Sequence, residues 1–148
     1  MMKRSSYIVV FGTFAIGATL AASSTFAQSV DTARIEAAGQ NDWLTYHGSY
    51  KSYHYSSLAQ INNNNVGNLA VAWMHIPGRS TRGLQSTPLV ADGVLYIGSE
   101  DNHVYALNAT TGLPLWSFTA GFVVDSPPAV VNGVLYIGSH DGNVYVFH

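Results

Sequence analysis

The 148-residue sequence contains no cysteine and few charged residues. Lysine, arginine, aspartate and glutamate make up 9% of the chain, and the formal net charge is −2. The absence of cysteine excludes a disulfide-stabilised scaffold. A mildly acidic chain with so few charges also lacks the electrostatic footprint of a nucleic-acid-binding protein, so we expect no nucleic acid among its partners.

Long hydrophobic runs are also scarce, and the main one lies at the N-terminus. Lys3 and Arg4 precede the uncharged stretch Tyr7–Leu20, and small residues then lead to Ala27. This order is typical of a secretory signal peptide. The alternative is an uncleaved membrane anchor, but the apolar core is shorter than the roughly 20 residues that a spanning helix needs. We therefore predict a cleaved signal peptide over residues 1–27 and a periplasmic or secreted protein.

An internal repeat indicates the fold. The heptapeptide Gly-Val-Leu-Tyr-Ile-Gly-Ser occurs at Gly93–Ser99 and again at Gly133–Ser139, a spacing of 40 residues. A period of roughly 40–45 residues with several short strands per unit is typical of a β-propeller blade. Asp92-Gly93 and Asn132-Gly133 lie between apolar runs, where a tight hairpin turn is expected. We therefore predict an all-β fold, a partial β-propeller of about two four-stranded antiparallel blades.

The repeat also divides the chain. After the signal peptide, we expect a linker or short helix over residues 28–42, an N-terminal lead-in segment over residues 43–68, and blades over residues 69–148, the second of them incomplete. The four predicted strands of the first blade are Thr87–Val90, Val94–Ser99, His103–Leu107 and Pro114–Phe118. Leu69–Met74 is a further candidate strand ahead of them. A closed propeller needs at least four blades, or about 160 residues. We therefore expect an N-terminal piece of a longer protein, or a chain whose ring is completed by missing blades or other chains.

The end of the first unit has a recognisable pattern of small and aromatic residues. Ala106, Gly112 and Trp116 occupy positions 1, 7 and 11 of Ala-Leu-Asn-Ala-Thr-Thr-Gly-Leu-Pro-Leu-Trp. This resembles the tryptophan-docking repeat of quinoprotein dehydrogenases, which depend on pyrroloquinoline quinone (PQQ), and of their propeller relatives. The resemblance implies a structural role in which a tryptophan packs against the small residues of a neighbouring blade.

The resemblance extends towards the N-terminus. Trp43-Leu-Thr-Tyr46-x-Gly48 and Asn65-Val-Gly-Asn-Leu69-x-Val-Ala-Trp73 resemble the opening of PQQ-dependent alcohol dehydrogenases, as does Arg82-Gly83-x-Gln85-x-Thr87-Pro88-Leu89. Membership would imply oxidation of an alcohol or aldehyde, with PQQ and calcium as the family's cofactors.

Two departures from the family pattern argue against an enzyme. Gln85 occupies a position where the family typically has a glutamate that contacts the quinone. Gln85 is therefore our candidate cofactor-binding residue, although its amide lacks the negative charge of a glutamate. The family usually carries an adjacent cysteine pair over the cofactor, which this chain lacks. Ser117–Phe147 instead resembles the repeats of non-catalytic propellers, including outer-membrane assembly scaffolds. We do not predict PQQ or calcium binding by this chain alone.

Other polar residues leave alternatives open. Arg79 and Arg82 fit either an exposed basic loop or contacts to the carboxylates of an acidic cofactor. Asp101 and Asp141 fit turn positions or, alternatively, calcium ligands. The six histidines do not show the spacing of a metal site: His47, His54, His75, His103, His140 and His148. We predict no catalytic residue and no metal ligand.

The leading hypothesis is an exported propeller fragment that resembles the N-terminal part of a quinoprotein alcohol or aldehyde dehydrogenase and is inactive alone. The alternative is a non-catalytic periplasmic scaffold or binding module, similar to outer-membrane assembly factors, with an envelope protein as partner. A remnant reading frame without a function of its own is the third hypothesis.

Overall fold

The computed structural model describes residues 29–37, 41–78 and 83–148, together with the backbone of residues 7–9. Its helices and strands, in chain order, are β1 Tyr7–Val9, α1 Thr32–Ala37, a 3₁₀ helix Val66–Asn68, β2 Leu89–Ala91, β3 Val94–Gly98, β4 His103–Asn108, β5 Pro114–Thr119, β6 Ala129–Val131, β7 Val134–Gly138 and β8 Val144–Phe147. No helix in this part of the chain is long and apolar enough to cross a membrane.

The first copy of the repeat forms a four-stranded antiparallel sheet in the order β2-β3-β4-β5. Its first hairpin turns at Asp92 and Gly93, where φ is +50° and +77°. A type I′ turn requires positive φ at both central residues, which aspartate and glycine tolerate. The sheet confirms the predicted four-stranded blade, and its strand ends differ from the prediction by at most two residues.

The second copy forms the antiparallel strands β6, β7 and β8, with Asn132 and Gly133 in the same positive-φ turn. A fourth strand, β1, pairs in parallel with β8, Tyr7 opposite Val144 and Val9 opposite Val146. It takes the place beside β8 that β5 takes beside β4, but in the opposite direction. β1 lies within residues 1–27, which the sequence predicts to be a signal peptide. Cleavage after Ala27 stays a prediction.

The prediction of a strand at Leu69–Met74 is wrong. The structure assigns no strand between the 3₁₀ helix and β2 in the described residues. The apolar composition favours a strand, but a strand also needs a neighbour for its backbone hydrogen bonds. No such neighbour lies beside this segment in the described structure, and Leu69, Val71 and Met74 are largely exposed.

The two sheets pack side by side. A Cβ atom on Gly98 of β3 would stand 2.6 Å from the Val124 carbonyl and 3.2 Å from Cδ1 of Ile137 in β7, so glycine permits this close approach. Across the same boundary, the Phe118 and Tyr145 rings have centroids 5.0 Å apart. The core cluster contains buried side chains of both sheets, among them Val104, Ile137 and Tyr145.

Residues before the blades are attached to this framework. Val30 and Leu44 are buried in the same core cluster. Trp43 and Val90 exchange two backbone hydrogen bonds of 2.8 and 3.0 Å, which add a short bridge at the edge of β2. The lead-in segment therefore starts from a fixed point on the first sheet.

Arg34 of α1 strengthens the attachment. Its guanidinium lies 2.6 Å from the Asp42 carboxylate and 2.7 Å from the Asp92 carboxylate. The hydrogen bond to Asp92 is the main cause that raises the pKa of Arg34, against the opposing effect of burial. The helix lies in the range predicted as a linker or short helix, and this double ion pair holds it to the first hairpin turn.

Candidate functional site

The predicted cofactor contact, Gln85, lies just before β2 and is exposed. Its neighbour Ser86 is buried, with 6% of its surface accessible. The Ser86 hydroxyl donates to the Ser126 carbonyl at 2.9 Å and accepts from the Gly98 N–H at 3.2 Å. Ser86 therefore joins the two sheets, and its neighbour Gln85 is exposed beside their boundary.

The polar groups around Gln85 do not form a quinone site by themselves. The equivalent position in the second unit is Asp125, whose carboxylate lies 2.9 Å from Nε2 of His140. The Gln85 amide can hydrogen-bond to the carboxylates of a cofactor but adds no charge, and an acidic side chain such as Asp125 repels them. Arg79 and Arg82, which could meet such carboxylates, lie outside the described residues. The part of the site that can be described thus supplies one polar side chain and no chemical step.

The described structure also places the residues of the predicted docking repeat. Ala106 of β4 and Trp116 of β5 are direct partners across the sheet. The Trp116 ring lies 6.1 Å from Tyr96 and 5.2 Å from Phe147, measured between centroids. Trp116 therefore reaches from the first sheet to β8 of the second.

Gly112 contacts a different tryptophan. A Cβ atom on Gly112 would stand 2.8 Å from Cγ of Trp73, so the indole lies directly on the glycine. Nε1 of Trp73 donates to the Ala109 carbonyl at 3.1 Å. The tryptophan on Gly112 thus comes from the segment that precedes the sheet. The role of Ala106, Gly112 and Trp116 in joining blades stays a prediction.

Asp101 and Asp141 have similar surroundings that the sequence did not predict. Asp101 accepts hydrogen bonds from the Tyr105 hydroxyl at 2.5 Å and the Gly78 N–H at 2.7 Å. Burial alone would raise the pKa of Asp101, but these and further hydrogen bonds lower it below its usual value.

In the second unit, Asp141 accepts from the Tyr145 hydroxyl at 2.6 Å and the Gly121 N–H at 2.9 Å. Burial again opposes the change, and the hydrogen bonds again lower the pKa of Asp141. Each carboxylate thus connects β4 or β8 to the segment that precedes the first strand of the same repeat copy. The recurring Asp-x-x-x-Tyr spacing was the available sequence signal, and the hydrogen bonds give both residues the same structural role.

The histidines include one pair that the spacing rule missed. In the described residues no group of three or more histidine, cysteine, aspartate or glutamate side chains is arranged to hold a metal. His47 and His54, however, have ring nitrogens in direct contact. An open cleft of about 360 Å³ is also present in the lead-in segment, lined among others by Asp42, Trp43 and Tyr55, and Gln85 does not line it.

The geometry defines the class of the fold, paired sheets of a β-propeller built from 40-residue repeats. The sequence model of the family described as "PQQ: Glucose/ethanol/alcohol dehydrogenase, beta-propeller domain" matches residues 43–143. The chain therefore belongs to the PQQ β-propeller family.

Its relatives are PQQ-dependent alcohol dehydrogenases. The dehydrogenase subunit of alcohol dehydrogenase (quinone) from Gluconobacter oxydans is 46% identical over 77 residues, which cover 52% of this chain and 10% of the relative. The quinohemoprotein alcohol dehydrogenase of Comamonas testosteroni is 39% identical over 88 residues, covering 60% of this chain and 12% of the relative. The chain thus spans about a tenth of the length of these relatives.

A solved structure extends the likeness to the fold. A quinohemoprotein alcohol dehydrogenase from Pseudomonas putida superposes with a TM-score of 0.71 and 31% sequence identity, over 84% of this chain and 20% of that one. The superposed part includes most of the described residues, so the paired sheets correspond to part of that propeller.

Proposed function

We propose that this chain is the exported blade framework of a quinoprotein alcohol or aldehyde dehydrogenase and has no turnover by itself. The observation that carries the proposal is the family match over residues 43–143, which coincides with two sheets packed as neighbouring blades. In this role the repeats supply architecture and at most one contact to the quinone.

The reason for inactivity alone is geometric. Propellers close with 4 to 8 blades, and only closure surrounds a cofactor on every side. Two neighbouring sheets leave Gln85 exposed to solvent. Polar groups accelerate a reaction chiefly when they are fixed around it in a site from which water is excluded. The quinone and calcium would supply hydride-accepting chemistry in a closed ring, and this chain would contribute the Gln85 amide as a hydrogen-bonding group.

Export is part of the proposal because of the N-terminal pattern of basic, apolar and small residues that ends at Ala27. N-terminal sequencing of the periplasmic fraction should give a chain that begins at Gln28. Recovery of the chain only from the cytoplasm with Met1 retained would contradict export.

The test of inactivity is dye-linked alcohol oxidation by the purified chain after incubation with PQQ and calcium. We expect no alcohol-dependent dye reduction above that of PQQ and calcium without protein. Turnover by the chain would contradict the proposal.

A second assay examines the quinone contact by equilibrium dialysis of PQQ. If the Gln85 amide meets the quinone, Gln85→Ala should weaken any saturable binding by several fold. Gln60→Ala is the matched control because Gln60 is also an exposed glutamine and lies in the lead-in segment. Equal losses in both variants would exclude Gln85 as the contact.

One observation favours the second candidate function, a periplasmic binding module. The segment before β2 exposes Val71, Met74 and Ile76 by 79%, 73% and 80%. Neighbouring apolar side chains that are exposed are typical of protein–protein interaction surfaces. Pull-down of one defined envelope protein, lost in Val71→Asp and retained in Lys51→Asp, would support the module. If further blades of the same protein cover these side chains instead, the pull-down should recover no envelope protein.

A further inference from the structure

The imidazole rings of His47 and His54 meet in the lead-in segment. Nδ1 of His47 and Nε2 of His54 are in direct contact. The ring centroids are 4.3 Å apart and the planes lie at 84° to each other. Since a neutral imidazole has one nitrogen that donates and one that accepts, two facing ring nitrogens require a single proton or a cation between them.

The surrounding backbone holds the two histidines together. The His54 N–H donates to the His47 carbonyl at 3.3 Å. His54 has a φ of +49°, an uncommon conformation for a residue other than glycine. The Tyr46 ring packs edge-on against His47 with centroids 4.4 Å apart, and lies 6.0 Å from the His54 ring. The loop between the two histidines therefore closes back on itself and presents both rings on one side.

This loop is anchored to the first blade. A Cβ atom on Gly48 would stand 2.9 Å from Cη2 of Trp43, so the chain next to His47 lies on the indole. Trp43 in turn exchanges backbone hydrogen bonds with Val90 of β2. The position of His47 is thus fixed relative to a sheet, which lowers the entropy lost when a ligand binds.

The geometry points to His47 and His54 as a two-ligand site for a first-row divalent transition metal such as Zn²⁺, Ni²⁺ or Cu²⁺. Imidazole nitrogens suit these ions, and Cu²⁺ binds tightest among them. His54 is exposed and His47 half-buried, so water can complete the coordination. A site of this kind needs only two protein ligands, in keeping with the absence of larger clusters from the described residues.

Metal binding requires a small opening of the pair. Zinc–nitrogen bonds of about 2.0–2.1 Å in a tetrahedral arrangement place the two nitrogens about 3.3 Å apart. The nitrogens are closer than this in the structure, and rotation of the exposed His54 side chain separates them without any change in the core. Both histidines bind the metal as neutral imidazoles, each with its proton on the ring nitrogen that faces away from the ion.

The test is isothermal titration of the untagged full-length chain with ZnCl₂ and CuCl₂. Thiolate binding cannot contribute, because the chain has no cysteine. We expect one equivalent to bind and His47→Gln and His54→Gln each to weaken binding at least about tenfold. The control is His140→Gln, which removes an exposed histidine that pairs with Asp125, and it should leave the affinity unchanged. Circular dichroism establishes that each variant is folded.

Electron paramagnetic resonance of the Cu²⁺ complex gives a second readout that does not depend on affinity. Two imidazole nitrogens should contribute hyperfine structure in the parent chain and in His140→Gln, and one in His54→Gln. Affinity and spectra unchanged in His47→Gln and His54→Gln would overturn the site. So would the absence of binding at millimolar metal, which would leave a shared proton as the only occupant of the pair.

Discussion

The indole of Trp73 lies flat on the peptide of Gly112, 39 residues later in the sequence, and its N–H reaches the Ala109 carbonyl at 3.1 Å. A ring in this position excludes any side chain at residue 112. Gly112 also has a φ of +71°, where side chains other than glycine are strained. Packing and backbone conformation thus require the same residue.

Gly112→Ala should lower the free energy of unfolding by about 2–4 kcal/mol, since the strain of positive φ and the overlap with Trp73 act together. Urea unfolding followed by tryptophan fluorescence measures the loss. The matched control is Gly142→Ala, because Gly142 has a φ of +87° but no atom within 4 Å of its added Cβ. The difference between the variants reports the Trp73 contact alone, and equal losses would contradict it.

Ser86→Ala should disturb the boundary between the two sheets. The variant leaves the Gly98 N–H and the Ser126 carbonyl without their partner, and an unsatisfied buried group costs about 1–3 kcal/mol. Hydrogen exchange should accelerate at the Gly98 amide.

Ser126→Ala is the comparison for Ser86→Ala. The Ser126 hydroxyl accepts from Gly138 N–H at 3.0 Å and donates to the Gly138 carbonyl at 2.7 Å, within the second unit. This variant should accelerate exchange at Gly138 and leave Gly98 protected. Faster exchange at both glycines in both variants would show that Ser86 has no separate role at the boundary.

The protein should lose stability in acid because Asp101 and Asp141 have pKa values lowered in the fold. A carboxyl group with a lowered folded pKa stabilises the fold above its unfolded pKa, and this contribution disappears as pH falls through the folded pKa. Both groups start from a usual pKa of 3.8, so the loss should occur below about pH 4.

Asp101→Asn should reduce the free energy of unfolding by about 1–2 kcal/mol at neutral pH and flatten its dependence on pH below 4. Thermal unfolding across the acid range measures both effects. Glu36→Gln removes an exposed carboxylate of α1 and is the control. If Asp101→Asn and Glu36→Gln have the same pH profile, the contacts of Asp101 with Tyr105 and Gly78 do not contribute to acid sensitivity.

Arg34→Gln should release α1 from the first blade. The guanidinium is shared by Asp42 and Asp92, and its side chain is 16% exposed. Loss of a charge that bridges two partly buried carboxylates should cost about 1–3 kcal/mol and expose the α1 segment to limited proteolysis. Lys51→Gln removes an exposed cation and should change neither property. Unchanged cleavage in Arg34→Gln would show that Val30 and other apolar contacts suffice.

The repeat predicted the blades well because its signals are local. Turn residues and alternating apolar residues between Thr87 and Phe118 predict the strand ends of the first blade to within two positions. The prediction for Leu69–Met74 was wrong because strand formation there depends on a distant signal. Its composition favours a strand, but a strand also needs a hydrogen-bonding neighbour from elsewhere in the chain.

The site was harder to predict because its contacts are distant in sequence. Asp101 accepts from the Gly78 N–H and Asp141 from the Gly121 N–H. The local spacing of each aspartate and its tyrosine does not reveal these distant glycine partners. The contact between His47 and His54 depends on a loop that closes through its backbone. No standard ligand spacing indicates such a pair.

The central claim is that the two copies of the repeat fold as adjacent blades. It is tested most directly by nuclear Overhauser contacts between the Gly98 Hα protons and the Ile137 δ1 methyl group, across the boundary where the added Cβ would lie 3.2 Å from that methyl. We predict this contact in the full-length chain and its weakening in Ser86→Ala. Strong contacts within each sheet, together with none between Gly98 and Ile137, would contradict the paired-blade arrangement.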